Sequence, residues 1–348
     1  ALRAFHARLA RRFGSEDLAY VVEPKYDGIA VSLTYEHGRL VRALTRGDGA
    51  AGEDITFRVR LISGVPARLR GDDAPELIEV RGEIHVPFAE FARVNAARAA
   101  AGLELFANPR AVAAGLARRA GEPTPEETQP LRLVCFGVGA CEPASALPGH
   151  QHELAARLRS WGLPAIVDVV PVRGAEALLL AVDAAGSARA LLPFPTDGVV
   201  VKRDSRALQG AAGEGAAAPR WAVAYKFAAA AAETRLLAID VQVGRTGALT
   251  PVAELAPVEV GGVTVSRASL HGRGTLARID ARVGDVVRVE RAGDVVPAIV
   301  GVDLARRPPG ARPFLLPECC PECGAAVIND SESGATRCPS ALKASARP

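Results

Sequence analysis

The sequence has 348 residues, of which 49% are hydrophobic and 23% are charged, and its formal net charge is +3. These proportions are ordinary for a globular protein and exclude a disordered chain, a collagen and a coiled coil. No apolar run approaches the ~18–20 residues that a membrane-spanning helix needs. The small net charge means that any nucleic-acid contact must come from local basic patches. The length predicts two or three domains.

The first 233 residues mix helix and strand patterns. Residues 1–14 carry apolar side chains at helical spacing but no continuous apolar stretch, which predicts an amphipathic helix and not a secretory signal. The low-complexity stretch Gly210–Pro219 predicts a flexible loop. Strands are predicted for YVVE, IAVSLTYE, RLVRALTR, EVRGEIHVP, LRLVCFGVGA, DGVVVK and WAVAYKF, and helices for FAEFARVNAARAAAG, which Gly102 ends, and ELAARLRSWG.

The pattern changes after Glu233. Short strands separated by Gly and Pro follow one another over residues 234–312, which predicts a small barrel or sandwich. The proline-rich segment RRPPGARP then leads into a cysteine-rich tail at 313–348. We therefore expect three modules, with boundaries near residues 233 and 312.

The four lysines stand out against the 42 basic residues of the chain. Arginine has replaced lysine almost everywhere, so a surviving lysine is a candidate for chemistry that arginine cannot perform. A lysine can lose its proton and attack as a neutral amine, whereas arginine cannot. Lys25 lies at a strand-to-turn junction in EPKYDG, where the alternative interpretation is a solvated surface turn.

Lys202 ends the predicted strand DGVVVK, and Lys226 lies in WAVAYKF, opposite the face formed by its apolar residues. A lysine buried on such a strand needs an anion or a carboxylate beside it; alternatively, Lys226 lies on an edge strand that faces water. Together with Lys25, these lysines adjoin strands that look buried, and a phosphate-rich ligand would account for all three. Glu83 and Arg46 add a carboxylate and a guanidinium at further strand ends. This set suits nucleotidyl transfer.

The chain resembles the bacterial NAD+-dependent DNA ligases, which implies an α+β nucleotidyltransferase (ATP-grasp-like adenylation) domain of antiparallel sheets and helices, an OB-fold β-barrel and a partial zinc finger. These modules would cover 1–233, 234–312 and 313–348. The resemblance extends over nearly the whole chain. It rests on EPKYDG, TRGDGAAGEDIT, EVRGEIHVP, FANPR, LPFPTDGVVVK, PRWAVAYKF, VQVGRTGALTPVAELAPV, GVTVSRASLH, RAGDVVP and CPECG, which occur in collinear order.

By this resemblance, Lys25 is the nucleophile that becomes AMP-lysine. The reaction has three steps: Lys25 takes AMP from NAD+ and expels NMN, AMP passes to the 5′-phosphate of a nick, and the 3′-hydroxyl displaces AMP to seal the strand. Mg2+ or Mn2+ would offset charge on the phosphates. The residues implied to bind the adenylate are Glu23, Asp27, Arg46, Glu83, Lys202 and Lys226.

The resemblance also implies the partners and the setting. Nicked double-stranded DNA would contact the OB-fold, for which Arg245, Arg267, His271 and Arg291 are candidates, although scattered surface arginine is an alternative. We expect a monomeric, nucleoid-associated cytoplasmic protein of bacterial DNA replication and repair, without membrane contact.

Cys320, Cys323 and Cys338 match the spacing of the first three ligands in the family's four-cysteine zinc module. The segment after Cys338 supplies no fourth cysteine, and Cys319 is poorly placed because it adjoins Cys320. Structural zinc sites normally have four protein ligands. We therefore expect a weak or empty Zn2+ site.

Methionine is absent, and the family's NMN-recognition, helix-hairpin-helix and BRCT modules have no counterpart in the sequence. We expect an internal piece of a longer protein, with severely reduced self-adenylation from NAD+. Two alternatives remain: a relative that uses ATP or GTP, against which the NAD+-type motifs speak, and a non-catalytic DNA-binding remnant, against which the retained lysines speak.

Overall fold

A computed structural model describes residues 1–46, 52–119, 121–215, 218–227, 230–244, 247–260, 263–270, 272–291, 297–329 and 336–340. The chain divides into two compact units, Ala1–Phe227 and Ala228–Pro348. The predicted boundaries near residues 233 and 312 stay a prediction.

The first unit alternates helices and strands along the chain. Its helices are α1 (Leu2–Phe13), α2 (Thr56–Val59), α3 (Phe88–Ala100), α4 (Pro109–Ala117), α5 (Pro125–Thr128), α6 (Gln151–Ser160), α7 (Gly174–Ala188) and α8 (Arg206–Ala212). Its strands are β1 (Ala19–Tyr26), β2 (Ile29–Glu36), β3 (Arg39–Thr45), β4 (Leu77–His85), β5 (Arg132–Glu142), β6 (Val170–Arg173), β7 (Thr196–Arg203) and β8 (Ala222–Lys226).

These strands form two antiparallel four-stranded sheets. One has the order β6-β1-β7-β8 and the other has the order β3-β2-β4-β5. The turn between β1 and β2 passes the chain from one sheet to the other, because the two strands are consecutive but lie in different sheets. Lys25, one residue before the end of β1, is therefore positioned where the two sheets meet.

Each sheet is held by its own apolar cluster. The cluster on the β3-β2-β4-β5 sheet includes the fully buried Trp161 and Tyr35, and the cluster on the other sheet joins Phe5 and Leu9 of α1 to Tyr20 of β1. Burying such side chains stabilises the fold by roughly 1.5–3 kcal/mol each. The strand ends that carry the polar candidates are thus fixed by packing on both sheets.

The second unit is built on strands that close into a barrel. Its elements are β9 (Ala230–Val243), β10 (Leu249–Val260), β11 (Val263–Ser269), α9 (Arg273–Ile279), β12 (Val286–Arg291), β13 (Ala298–Val302), β14 (Ile328–Asn329) and β15 (Thr336–Arg337). The closed barrel has the order β10-β11-β13-β12-β9, and β14 pairs antiparallel with β15. Cys320 and Cys338 pack with Leu249 of β10 in a small apolar cluster.

The helices and strands predicted from the sequence are confirmed, but the structure contains further elements that the sequence analysis did not predict. The prediction of a loop from Gly210 is wrong for its first three residues, which complete α8 because Ser205 caps that helix through a hydrogen bond from the Leu208 amide. Helices α4 and α7 were missed. Among the described residues, no helix is both long and apolar enough to cross a membrane.

Candidate active site

Lys25 lies near the end of β1 and forms an ion pair with a carboxylate that the sequence analysis did not single out. Its Nζ atom is 2.8 Å from Oδ1 of Asp197, on the neighbouring strand β7. The Lys25 side chain is 25% exposed, so the amine is held in place but remains open to a ligand. Neither Glu23 nor Asp27, the sequence neighbours of Lys25, makes this contact.

Asp197 also binds a second lysine. Its Oδ2 atom is 3.0 Å from Nζ of Lys226, so one carboxylate joins side chains from β1 and β8. Burial by itself raises the pKa of Asp197, but the close contacts with Lys25 and Lys226 outweigh it and hold the pKa below its usual range. Asp197 is therefore ionised at neutral pH and orients both amines.

The strand register explains how two distant lysines come to share Asp197. In the antiparallel ladders, Lys25 lies opposite Gly198, and Gly198 lies opposite Lys226. A Cβ atom on Gly198 would lie 2.1 Å from the carbonyl oxygen of Tyr225, so only glycine permits this approach of β7 and β8.

Lys202 and Glu23 form a second, fully buried pair on the same sheet. Nζ of Lys202 is 2.6 Å from Oε2 of Glu23, and the two side chains are 7% and 3% exposed. Lys202 also donates to the carbonyl oxygen of Phe136 at 2.7 Å, and Gln151 donates to Oε1 of Glu23 at 3.2 Å. Burying two charges is costly unless their remaining hydrogen-bonding capacity is met, and these contacts meet much of it.

Glu83 reaches the site from the second sheet, at the end of β4. Burial raises the pKa of its carboxyl to about 7, although Lys25, Arg110 and the backbone N–H of Gly28 act in the opposite direction. A Cβ atom on Gly28 would lie 2.1 Å from the carbonyl oxygen of Ile84, so glycine lets the β1–β2 turn lie directly against β4.

Arg110 in α4 was not assigned a role from the sequence, although it ends the FANPR motif. Its Nη1 atom donates to Oδ1 of Asp27 at 2.7 Å, and it carries a guanidinium to the region of Lys25. Asp27 is 7% exposed and is occupied by this contact. Its carboxylate therefore holds the Arg110 guanidinium in position.

A cavity of about 520 Å³ connects these groups. The predicted nucleophile Lys25 lines it, together with Arg110, Arg118 and Phe136. Four of the six residues predicted to bind the adenylate also line it: Glu23, Arg46, Glu83 and Lys202. Asp27 and Lys226 are not among the residues that line it. The interpretation of Lys226 as adjoining a buried strand is wrong, because β8 is an edge strand and the side chain is 70% exposed.

The signals for the missed residues were present in the motifs. Asp197 opens DGVVVK and Arg110 closes FANPR, but local sequence does not reveal which lysine or carboxylate each would meet. Only the pairing of β1 with β7, across more than 170 residues of chain, places Asp197 beside Lys25.

In the second unit, Cys320, Cys323 and Cys338 have their sulfur atoms within 4.8 Å of one another, and the sulfurs of Cys323 and Cys338 are 3.4 Å apart. Zn–S bonds of about 2.3 Å in a tetrahedron separate sulfurs by roughly 3.8 Å, so the three fit three corners. Cys319 is exposed and outside this group.

The four candidate DNA-contacting residues are only partly described. Arg267 lies on β11 and is exposed. Arg245 and His271 lie outside the described residues, and Arg291 ends β12 without a described side chain. Their role in binding DNA stays a prediction.

A lysine held at a polar cavity between two antiparallel sheets, followed by a five-stranded closed barrel, defines a nucleotidyltransferase domain joined to an OB-fold. Residues 1–230 match the family model of the NAD-dependent DNA ligase adenylation domain, and residues 233–311 match that of the NAD-dependent DNA ligase OB-fold domain. The chain belongs to the NAD-dependent DNA ligase family.

Curated relatives give the same result. DNA ligase 1 of Opitutus terrae is 48% identical over 97% of this chain, and the match covers 50% of that relative. The DNA ligase of Methylococcus capsulatus is 47% identical over 98% of this chain, and the match again covers 50% of that relative. The DNA ligase of Paramagnetospirillum magneticum is 47% identical over 99%, with 49% of it covered. The chain thus spans about half the length of the curated relatives it matches.

Proposed function

We propose that this chain is the catalytic core of an NAD+-dependent DNA ligase, with Lys25 as the nucleophile that carries AMP. The observation that supports this most directly is the position of Lys25, whose amine is held by Asp197 and lines a cavity with Arg46, Glu83 and Lys202. A nucleophile, cations for phosphate and a carboxylate thus converge at one cavity, as nucleotidyl transfer requires.

In the first step, the lone pair of Lys25 Nζ attacks the adenylyl phosphorus of NAD+. A P–N bond forms as the P–O bond to NMN breaks, and NMN leaves with the electron pair of that bond. The proton that Lys25 must give up before attack passes to solvent or to the cavity's acceptors. Asp197 orients the amine through its 2.8 Å contact, which reduces the entropic cost of reaching the attacking geometry.

The basic side chains have distinct tasks in this proposal. Lys202 and Arg46 line the cavity and would bind phosphate oxygens, and Lys226 would approach from the edge of the sheet. Glu23 holds Lys202 in place, so the Lys202 ammonium is already positioned when the nucleotide enters.

The Glu83 carboxylate is suited to binding a metal ion or the ribose of the nucleotide. It is a carboxylate that lines the cavity next to Lys25, and oxygen atoms are the ligands that Mg2+ prefers. Mg2+ bound there would offset charge on the reacting phosphates. With its pKa raised to about 7, Glu83 changes its charge within the physiological range, and a bound cation would favour the ionised form.

We propose nicked duplex DNA as the substrate, with the barrel supplying backbone contacts through exposed basic residues such as Arg267, and a cytoplasmic, nucleoid-associated location that follows from that substrate. We expect a monomer.

Zinc would be held by the thiolates of Cys320, Cys323 and Cys338, and it would stabilise the tail as a structural ion. With three cysteines in the set, we expect weaker binding than at a four-cysteine site. Measurement of the zinc content of the purified chain tests this, and one tightly held equivalent would contradict the expectation.

The first test is the sealing of a nicked duplex whose 5′ end already carries AMP, in the presence of Mg2+ and the absence of NAD+. The proposal predicts a sealed strand. Arg46→Gln should slow sealing, whereas Arg3→Gln, at an exposed ion pair with Glu176, should leave it unchanged. A chain that binds the nicked duplex but does not seal it would overturn the proposal and leave a non-catalytic remnant.

A further inference from the structure

A second group of chemically distinctive side chains lies in the first unit, apart from the Lys25 cavity lining. His150 and His152 flank Gln151 at the start of α6, and Asp204 directly follows β7. Nδ1 of His150 is 3.0 Å from Oδ2 of Asp204, and Nδ1 of His152 is 2.9 Å from Oδ1 and 3.0 Å from Oδ2. These three residues are called the His–His–Asp cluster below.

The backbone fixes the cluster before any ligand is present. The Gln151 amide donates to the carbonyl oxygen of Asp204 at 2.7 Å, and the His152 amide donates to Oδ1 of Asp204 at 3.0 Å. His150 also forms an isolated bridge with Ser205. The start of α6 is thus bound to the segment after β7, so the two imidazoles meet the carboxylate without a change in the main chain.

Exposure within the cluster is asymmetric. Asp204 is 8% exposed, whereas His150 and His152 are 53% and 40% exposed. The carboxylate is held at the base, and both rings face solvent, which leaves an entry path and room for water molecules.

The ligand atoms have the spacing of a metal site. The two Nδ1 atoms and a carboxylate oxygen lie within 4.8 Å of one another. Metal–nitrogen and metal–oxygen bonds of about 2.0–2.2 Å separate neighbouring ligand atoms by roughly 2.9–3.5 Å, at angles between octahedral and tetrahedral. The observed separations of Nδ1 and carboxylate oxygen, 2.9 and 3.0 Å, match the lower end of that range.

One effect acts against a cation here. The cluster lies at the N-terminus of α6, where the helix dipole is positive and disfavours a cation by roughly 0.3–1 kcal/mol. The carboxylate of Asp204 opposes this effect, as does that of Glu153, whose Oε2 accepts from the His150 amide at 3.3 Å. Three direct metal–ligand bonds exceed a dipole effect of this size.

We propose that the His–His–Asp cluster binds a divalent transition-metal ion through Nδ1 of His150, Nδ1 of His152 and the carboxylate of Asp204, with water completing the coordination. Imidazole suits Zn2+, Co2+ and Ni2+ and does not suit Mg2+, so this site differs in metal preference from the nucleotide cavity. It also differs from the cysteine group in the second unit, which supplies only sulfur.

The position of the site gives the metal a mechanical consequence. Gln151, between the two histidines, donates to Glu23, and Asp204 lies two residues beyond Lys202. A bound ion would cross-link the two segments that carry Gln151 and Lys202, and it would therefore stabilise the first unit in its native state.

The test uses Co2+ and the full chain, with thermal unfolding followed by tryptophan fluorescence, because both tryptophans, Trp161 and Trp221, lie in the first unit. Co2+ at a hundred times its Kd should raise the Tm of the tryptophan transition, as native-state binding requires. His150→Gln/His152→Gln should abolish the shift. His37→Gln, which alters an exposed histidine on the turn after β2, should retain it.

Absorption spectroscopy separates the two metal sites. Co2+ bound by thiolates gives intense charge-transfer bands, and Co2+ bound by imidazole and carboxylate does not. Cys323→Ser should keep the Tm shift while losing those bands. A Tm shift that persists in His150→Gln/His152→Gln, or that disappears in Cys323→Ser, would overturn the proposal. So would a wild-type chain whose tryptophan transition Co2+ leaves unchanged. Where the double variant fails to fold, His152→Gln alone provides the same comparison.

Discussion

The two ends of β7 hold lysine–carboxylate contacts of opposite character. Near its start, Asp197 binds Lys25 and Lys226, which are 25% and 70% exposed. Near its end, Lys202 binds Glu23, and both are almost completely buried. The same residue types on one strand therefore occupy an open, shared arrangement at one end and a closed, satisfied arrangement at the other.

This difference separates chemistry from structure. The contact of the exposed Lys226 with Asp197 is screened by water and contributes about 0–1 kcal/mol to stability. Because Asp197 is shared by two lysines, we expect either amine to exchange it for a phosphate. Removing either partner of a buried pair lowers the free energy of unfolding, because the remaining charge is left buried without compensation. Loss of Lys25 or Lys226 at the start of β7 should therefore affect catalysis with little change in stability, whereas loss of Lys202 at its end should affect folding as well as nucleotide binding.

The largest effect is expected at the open end. In long incubations with excess NAD+, which compensate for the slow self-adenylation expected of this chain, Lys25→Arg should abolish covalent uptake of AMP, since a guanidinium does not lose its proton and cannot attack phosphorus. The Tm should stay near that of the wild type, because arginine retains the charge that faces Asp197. Incorporation of labelled AMP, followed on a denaturing gel, measures the first quantity. A variant that still becomes labelled would show that Lys25 is not the nucleophile.

At the closed end, Lys202→Met should reduce the free energy of unfolding by about 3–5 kcal/mol, because it leaves Glu23 buried without its partner. Adding Glu23→Gln removes the unpaired charge and should recover a large part of the loss. Urea denaturation followed by tryptophan fluorescence reports the first unit. If the double variant is as unstable as the sum of the single variants, the two residues are not coupled, and the contrast between the ends of β7 fails.

The sequence was sufficient to find the lysines but not their partners. Lys25, Lys202 and Lys226 were identified because a chain dominated by arginine kept lysine at those positions. Glu23 and Asp27 lie two residues to either side of Lys25 in the sequence. In the structure, Glu23 binds Lys202 of β7 and Asp27 binds Arg110 of α4, and adjacency in the sequence reveals neither contact.

Helix α7 shows a different limit of prediction from the sequence. Its sequence, GAEALLLAVDAAGSA, contains consecutive leucines and many alanines, which obscure a 3.6-residue period. Leu178 and Val182 are buried while Leu180 is 71% exposed, and the apolar stripe becomes visible only once the sheet that it covers is in place. Of the eight strands described in the first unit, the sequence predicted all but the short β6.

Glu83 offers a pH-dependent test from the opposite sheet. Its pKa is raised from 4.5 to about 7 by burial, so the native state holds this proton more tightly than the unfolded state does. Stability should therefore fall by on the order of 2 kcal/mol as pH rises from about 4.5 to 7, and level off above it. Glu83→Gln should flatten this part of the profile and stabilise the chain at pH 8. Urea denaturation of the wild type and of Glu83→Gln across pH 4–8 measures the two stability profiles. Parallel profiles would contradict the assignment of this pH dependence to Glu83.

The smallest stability effect should come from Lys226→Ala, since the side chain is 70% exposed and its partner Asp197 keeps Lys25. The free energy of unfolding should change by less than about 1 kcal/mol.

AMP uptake by Lys226→Ala should nevertheless fall about ten- to a hundredfold, as the loss of one charge-assisted contact to phosphate predicts. Arg8→Ala, a solvent-exposed cation on α1 that donates to the Arg220 carbonyl, is the matched control and should leave uptake unchanged. Equal rates for Lys226→Ala and wild type would restrict the nucleotide-binding cations to those that line the cavity. A large loss of stability would instead show that Lys226 supports the fold as Lys202 does, and it would remove the distinction between the two ends of β7.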